Sequence, residues 1–426
     1  MIKYIQKVGI SMIEKGIIVS LQLNKSNDQI LYEMQELEQL CNACDIEILS
    51  SYVQKADTIQ AATYIGKGKA FEIAEEIENT EATIVIVNHE LSGSQIRNLE
   101  TITHAKVLDR TDLILQIFST RAQTKEANIQ VEIAQLKYVL PRLIGNQTNL
   151  DRQSGGRNRG AGEKKLELNR RRIESRIHAL ERELEIVQKN RENQSSKRMR
   201  NKIGKVALIG YTNAGKSSLM NALLQYTNQE EHKQVFEKDM LFATLDTHTR
   251  LIEPKNHPAF ILTDTVGFVS NLPHTLVKAF HSTLESVNQA ELLLHVVDRS
   301  HPLYEEQMET TMQTLKEIKA NHIPMLTIYN KMDLVEEYTK SNAIEISCKT
   351  KDNLETVLDA ITNHFYSQYL KLSIVVPYED YAFYQLINQT QYISQTIQEE
   401  DGYHLTILCH PDFFKQHQQQ FTKYEI

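Results

Sequence analysis

Residues 210 to 217 are Gly210, Tyr211, Thr212, Asn213, Ala214, Gly215, Lys216 and Ser217, and they satisfy the spacing Gly-x-x-x-x-Gly-Lys-[Ser/Thr]. No other stretch restricts the possible folds as much. The apolar run Lys205-Val-Ala-Leu-Ile209 predicts a buried strand, and Ser217-Ser-Leu-Met-Asn-Ala-Leu-Leu224 predicts a helix. A strand, a Gly-bearing turn and a helix in that order point backbone N–H groups at phosphate oxygens. Lys216 then reaches the β/γ-phosphates, and the Ser217 hydroxyl supplies a hard ligand for Mg²⁺.

Further segments follow in the order a guanine-nucleotide site needs. Phe260-Ile-Leu-Thr-Asp-Thr-Val-Gly267 is an apolar strand running into Asp264, Thr265, Val266 and Gly267. Asp264 is expected to hold the Mg²⁺ shell, and the Gly267 N–H to meet the γ-phosphate. Met325-Leu-Thr-Ile-Tyr329 is a strand ending in Asn330, Lys331, Met332 and Asp333. A carboxylate at Asp333 accepts from the guanine ring N–H and exocyclic amine; adenine lacks that amine. Ala343-Ile-Glu-Ile leads into Ser347, Cys348 and Lys349, a base-covering loop. Between the first two pieces, Leu241–Arg250 is a polar, Thr-rich stretch suited to a mobile switch. Phe268 follows the Asp-x-x-Gly where many such enzymes carry a water-orienting Gln. A phenyl ring cannot orient water, so a slow intrinsic rate is expected, or a site completed by another group; the two are compatible.

At 426 residues the chain is long enough for two to four domains and sizeable cores. It has no apolar run of about 18 residues and no apolar stretch behind its first residues, so neither a membrane span nor a signal peptide is expected. Four cysteines in this length argue against a disulfide scaffold. Cys41 and Cys44 form a lone Cys-x-x-Cys inside an apparent helix, which favours packed thiols over a zinc site. A cytoplasmic location is expected.

The net charge of −8 conceals an asymmetry: Lys137 to Lys205 holds 19 Lys+Arg against 8 Asp+Glu, leaving 28 against 47 elsewhere. A basic segment on an acidic protein suggests a phosphate-rich partner met at one place. Ile129, Ile133, Leu136, Leu140 and Leu143 keep heptad spacing, as do Ile173, Ile177, Leu180, Leu184 and Val187. Two such helices can bury each other as an antiparallel hairpin. The segment between them, Pro141 to Gly162, contains Gly155-Gly-Arg-Asn-Arg-Gly-Ala-Gly162 and further bases at Arg142 and Arg152, with Lys164 and Lys165 just beyond it. A solvated linker is the plain reading; a basic, Gly-rich tip entering an RNA crevice is favoured over it, because arginines serve phosphates and glycines allow close approach.

The expected fold class is α/β throughout. An N-terminal α/β domain (1–125) has strands near 16–22, 83–87 and 105–109 and helices near 28–44, 68–79 and 92–101. A basic helical hairpin (126–202), a doubly wound P-loop domain (203–367) and a small C-terminal α/β domain (368–426) follow. In the last, a helix over about 378–396 separates two strands. The turn Gly66-Lys-Gly-Lys69 is favoured as a strand-to-helix connection, with a phosphate site as the alternative.

The chain resembles the HflX family of translational GTPases over nearly its whole length. The resemblance is carried by Tyr64-Ile-Gly-Lys-Gly-Lys69, Ser94-Gln-Ile-Arg-Asn-Leu-Glu100, Val107-Leu-Asp-Arg-Thr-Asp-Leu-Ile-Leu115, Gln130-Val-Glu-Ile-Ala-Gln-Leu-Lys-Tyr138 and Pro141-Arg-Leu143. It continues through Gly210–Ser217, through Phe242, Ala243, Thr244, Leu245 and Asp246, and through Asp264–Phe268. The resemblance implies that the chain hydrolyses GTP with Mg²⁺ and binds the large ribosomal subunit and its RNA. It implies that the GTP-bound protein helps split stalled or stress-arrested ribosomes, with the helical arm reaching toward the peptidyl-transferase region. It makes Thr244 the switch threonine on Mg²⁺ beside Ser217, and it makes a hydrophobic Phe268 expected. No DNA partner is expected, and the chain is expected to act as a monomer. The tip departs from the family's usual Gly-Gly-x-Gly-x-Arg-Gly-Pro-Gly-Glu by being one residue shorter and more basic. The usual Asp-Pro-Thr is Asp246-Thr-His248 here, and Ser-Ala-Lys is Ser347-Cys-Lys349. A large-subunit assembly GTPase would share every one of these site residues. A protein-binding signalling switch is a more distant alternative. An ATP-driven RNA remodeller is argued against by Asp333.

Overall fold

The computed structural model describes residues 14–144, 159–198, 203–227, 242, 248–269, 287–335 and 342–424. Strands β1 (Glu14–Gln22), β2 (Ile46–Lys55), β3 (Ile84–Val87) and β4 (Lys106–Asp109) form a parallel sheet in the order β2-β1-β3-β4. Helices α1 (Asn27–Ala43), α2 (Lys67–Asn79), α3 (Gly93–Thr103) and α4 (Arg110–Arg121) connect or follow them. A parallel sheet covered on both faces needs continuous apolar strands. β3 is Ile-Val-Ile-Val, all buried; Ile84 and Ile86 join one core, Val85 and Val87 the other. Capping boxes set where helices begin: Ser26 with Gln29 for α1, Ser92 with Gln95 for α3 and Asp109 with Asp112 for α4.

Sequence reading finds three of these strands and the first three helices. It misses β2 and α4. β2 is an edge strand on which exposed residues alternate with partly buried ones, so its apolar signal is diluted. α4 starts immediately after β4 with no loop to announce it, and Arg110 and Thr111, polar by type, are buried in it.

The hairpin helices are α5 (Lys125–Ile144) and α6 (Arg159–Arg198). Both extend into the stretch expected to join them, and the Gly-rich tip through Asn158, with Arg152 and Arg157, lies outside the described residues. Ile129, Ile133 and Leu180 form the seam between the helices, with Leu136, Leu184 and Val187 packed on it. Lys125–Glu183, Glu132–Arg176 and Lys137–Glu181 bridge the two helices at 2.7–2.8 Å. Helix α5 is apolar beyond its heptad seam as well. Val131, Ala134 and Tyr138 on its other side are buried in the N-terminal core. Tyr138 donates to Asp112 at 2.7 Å, and Arg142 stacks on the Tyr138 ring and reaches Asp109 at 3.1 Å.

The central sheet runs β10-β9-β8-β5-β7-β6. Its strands are β5 (Gly204–Ile209), β6 (His248–Ile252), β7 (Phe260–Asp264), β8 (Leu292–Asp298), β9 (Met325–Asn330) and β10 (Ile344–Glu345), and β6 alone pairs antiparallel within it. Helices α7 (Lys216–Tyr226), α8 (Tyr304–Glu317) and α9 (Leu354–Tyr366) belong to this unit. Leu292, Leu294 and Val296 face one core, and Leu293 faces the other.

The C-terminal unit differs from its expectation. β11 (Leu370–Val376), β12 (Tyr392–Glu399) and β13 (Gly402–Cys409) form an antiparallel sheet in the order β11-β13-β12. The helix α10 (Tyr381–Thr390) ends well short of 396. Glu400 and Asp401 turn β12 into β13, with Glu399 paired to Gly402 at φ +149°; the helical reading overrode this hairpin. Two short helices, α11 (Pro411–Gln416) and α12 (Gln418–Tyr424), close the unit.

Cys41 is buried and Cys44 half-buried, both as free thiols, and burial pushes Cys44 up to about 12 and Cys41 higher still. Gly66 opens α2; its N–H donates to Gln54 at 2.9 Å, and Lys69 pairs with Glu72 at 2.6 Å. Among the described residues no helix is long and apolar enough to cross a membrane.

Candidate nucleotide site

β5 ends at Ile209, and the chain turns through Gly210–Gly215 into α7. Two glycines here are required by geometry. Gly210 has φ +142° and Gly215 φ +94°; a Cβ would lie 2.1 Å from the Val296 carbonyl oxygen at the first and 2.1 Å from Asn330 Nδ2 at the second. Asn213 supplies another left-handed position, φ 61°.

The Asp264–Phe268 segment lies directly on this loop. The Thr212 N–H donates to the Phe268 carbonyl at 2.7 Å, and the Phe268 N–H to the Gly210 carbonyl at 3.1 Å. A Cβ on Gly267 would lie 2.8 Å from Thr212 Cα and 2.9 Å from Lys216 Nζ, so this glycine too is held by close approach. The Ser217 hydroxyl donates to Asp264 Oδ2 at 2.6 Å. Thr265 donates to the Leu208 carbonyl at 2.6 Å, and Val266 is buried. The Phe268 ring is 2% exposed among Ala207, Ile209 and Leu293, beneath the sheet surface.

Lys216 is buried, with Nζ donating to the Tyr211 carbonyl at 2.7 Å and the Gly210 carbonyl at 3.1 Å. Burial lowers its pKa to about 8, and the Asp264 charge opposes that shift. Among the described residues the Thr212 hydroxyl is a buried polar atom with no hydrogen-bond partner.

The base-side segments meet at Asn330. Its Nδ2 donates to the Ala214 carbonyl at 3.0 Å, and its Oδ1 accepts from the Cys348 N–H at 3.1 Å. Lys331, left-handed at φ 62°, pairs with Asp298 at 2.6 Å. The buried Met332 donates its N–H to the Ile346 carbonyl at 3.2 Å. Asp333 is exposed, and its Oδ1 accepts from the Ser347 hydroxyl at 2.7 Å; that hydroxyl in turn accepts from the Thr350 N–H at 3.2 Å. Lys349 is exposed beside it. All the sequence-predicted segments therefore come together, apart from Ala243, Thr244, Leu245 and Asp246, which lie outside the described residues. Phe242 is described and buried, edge-on to Phe118 at 4.7 Å.

Sequence reasoning missed three participants. Asp298, at the end of β8, orients Lys331. Glu36 on α1 accepts from the Tyr211 hydroxyl, and Arg110 on α4 pairs with the same carboxylate. Glu36 and Arg110 are each 2% exposed. Arg110 sits in a stretch that carried the family resemblance, but nothing in its spacing pointed to the loop around Tyr211.

A six-stranded sheet with this loop, an Asp-x-x-Gly strand end and an Asn-Lys-x-Asp strand end defines a P-loop GTPase. Family models match in three adjoining blocks: GTP-binding GTPase N-terminal over residues 32–119, GTP-binding GTPase Middle Region over 121–198, and 50S ribosome-binding GTPase over 205–331. GTPase HflX of Caldanaerobacter subterraneus is 42% identical over 392 residues, 91% of this chain and 89% of that protein. GTPase HflX of Alkalihalophilus pseudofirmus is 43% identical across 80% of this chain and 81% of its own length, and that of Escherichia coli 36% identical across 91% and 92%. The chain belongs to the HflX family of GTPases.

Proposed function

We propose that this GTPase binds the large ribosomal subunit through its RNA and, with GTP bound, promotes splitting of stalled or stress-arrested ribosomes. It acts in the cytoplasm, as a monomer. The observation that carries the proposal is the joining of a GTPase site to a long two-helix arm. α6 has 40 residues, about 60 Å of helix, and the domain that follows carries the 50S ribosome-binding family match. The basic charge excess falls on this arm.

In this reading the site residues take the following roles. The N–H groups of Asn213 to Ser217 and the Lys216 ammonium take the phosphates. Ser217 and Asp264 present hard oxygen donors 2.6 Å apart, the chemistry Mg²⁺ prefers, with Thr244 as the second hydroxyl ligand. Mg²⁺, when bound, neutralises charge on the β/γ-phosphate oxygens. The Gly267 N–H meets the γ-phosphate. Asn330 ties the phosphate loop to the base loop, Asp333 selects guanine, and Ser347–Lys349 covers the base. With the Phe268 ring in the core, that residue offers no group to orient water. Hydrolysis by the isolated protein is slow, and large subunits accelerate it by ordering Gly267 and Thr244.

The test is sedimentation of the purified chain with large subunits and a non-hydrolysable GTP analogue. Co-sedimentation with mature subunits, and release of subunits from whole ribosomes, is expected. Binding confined to precursor particles would replace this reading with an assembly role. Binding that is insensitive to salt and RNase would point to a protein-binding switch.

A further inference from the structure

Tyr211, the second residue of the phosphate loop, is held from outside its own sheet. Its hydroxyl donates to Glu36, and Glu36 pairs through its other oxygen with Arg110. Arg110 Nη1 donates to Asn88 Oδ1 at 3.0 Å, and Asn88 Nδ2 reaches both Ser20 and Glu33 at 3.2 Å. Asn88, Ser20, Glu36 and Arg110 are all buried, so this is a polar network sealed from water. A buried carboxylate that loses a donor suffers the desolvation cost of the freed oxygen. Any displacement of Tyr211 therefore carries that cost into the N-terminal domain.

The same residue touches the lysine of the phosphate loop. Its carbonyl holds Lys216 Nζ at 2.7 Å, so one residue links the buried network to the catalytic lysine. Apolar packing agrees with the polar link. Tyr211, Phe242, Val266 and Val269 belong to the N-terminal core with Leu37, Ile117 and Phe118. These four come from the phosphate loop, the switch stretch and both flanks of Gly267. Each phosphate-facing segment thus has a neighbour seated in the N-terminal domain.

We propose that Glu36 and Arg110 are positioning residues for nucleotide binding: through the Tyr211 hydroxyl, the N-terminal domain holds the phosphate loop in its nucleotide-ready shape. This concerns the nucleotide site alone and stands whether or not the ribosome is the partner. Glu36 touches no nucleotide; it acts through Tyr211.

The experiment uses the full chain and fluorescent GDP and GTP analogues. Tyr211→Phe keeps the buried ring and removes only the hydroxyl. It is expected to speed nucleotide dissociation and weaken affinity about tenfold, the loss of one hydrogen bond to a charged group. Glu36→Gln should weaken binding in the parent chain but add nothing in the Tyr211→Phe background, because the path runs through the missing hydroxyl. Leu99→Ala, in the other N-terminal core, serves as the stability control; it should lower the melting temperature and leave affinity unchanged. Parent-like affinity and dissociation in Tyr211→Phe would overturn the proposal. So would an undiminished Glu36→Gln effect in that background, or an equal affinity loss in Leu99→Ala. Should Glu36→Gln fail to fold with Arg110 unpaired, the Tyr211→Phe result decides alone.

Discussion

Asn330 donates its side-chain amide to the Ala214 carbonyl at 3.0 Å, and so fastens the end of β9 to the phosphate loop. Its Oδ1 holds the Cys348 N–H, so one side chain sets the spacing between the phosphate and base halves of the site. Asn330→Asp keeps size and shape but replaces a donor with a carboxylate oxygen facing a carbonyl. Affinity for GTP and GDP alike is expected to fall by about 10- to 100-fold, as a lost buried hydrogen bond plus repulsion requires. Calorimetric titration with both nucleotides checks this. A loss confined to GTP would mean that Asn330 acts on the γ-phosphate instead.

Asp333 is exposed and fixed by the Ser347 hydroxyl, the setting expected of a carboxylate that reads a base edge. Asp333→Asn offers an amide donor where the carboxylate accepts. Preference should move from guanine toward xanthine nucleotides, whose extra carbonyl matches the donor. An unchanged ratio of GTP to XTP affinities would remove Asp333 from base recognition.

The nucleotide segments were legible because each is a short pattern at a strand end, where local chemistry and position coincide. Asp298 and Glu36 were not, for a different reason. Each acts on a residue far away in the chain, through a contact that only the packed fold creates. The same distinction separates β3, an all-apolar run, from β2, whose alternation is blurred at a sheet edge. The first half of β12 falls inside the helix expected to about 396 because Ser394 and Gln395 interrupt its apolar pattern; the two-residue turn Glu400-Asp401 before Gly402 was the stronger signal.

Lys216 is a buried cation whose pKa burial lowers from 10.5 to about 8. A depressed lysine costs the folded state wherever it must stay charged, which is below about 8, and the cost disappears above 10.5 where it is neutral either way. Lys216→Met should therefore stabilise protein purified free of nucleotide near neutral pH, by up to about 3 kcal/mol. The gain should shrink as pH rises through that window. Nucleotide affinity should collapse at the same time. Thermal unfolding across a pH series is the check, and a destabilised variant near neutral pH would contradict the stated cost of the buried charge.

Asp112 accepts from Tyr138 and lies where α4 meets the arm helix α5. Burial first, and then the Asp109 charge, push it up from 3.8 to about 6. A raised carboxyl contributes stability that is fully present below 3.8 and lost as pH rises through about 6. Asp112→Asn retains the acceptor for Tyr138 without the charge. It should match the parent in acid and exceed it near neutral pH by about 1–2 kcal/mol. Denaturant unfolding at the two pH extremes tests this; a variant less stable at neutral pH would show that the ionised carboxylate is needed.

The basic tip supplies the last prediction. Arg159 opens α6, and Leu180, where α6 meets the α5 seam, lies 21 residues further on, about 30 Å along the helix. Substitutions at the tip should thus leave the hairpin packing undisturbed. If the tip contacts RNA phosphates, replacing Arg157 and Arg159 with Ala should weaken large-subunit binding while GTP affinity stays intact. Each lost phosphate contact should also flatten the dependence of log affinity on log salt, by a slope of about 0.7 to 0.9. Leu180→Ala, at the seam, should instead lower the melting temperature. Subunit affinity across a salt series separates the cases. A double variant with the parent's affinity and slope would reduce the charge run to a solvated face, and recognition would then have to reside in the GTPase or C-terminal domain.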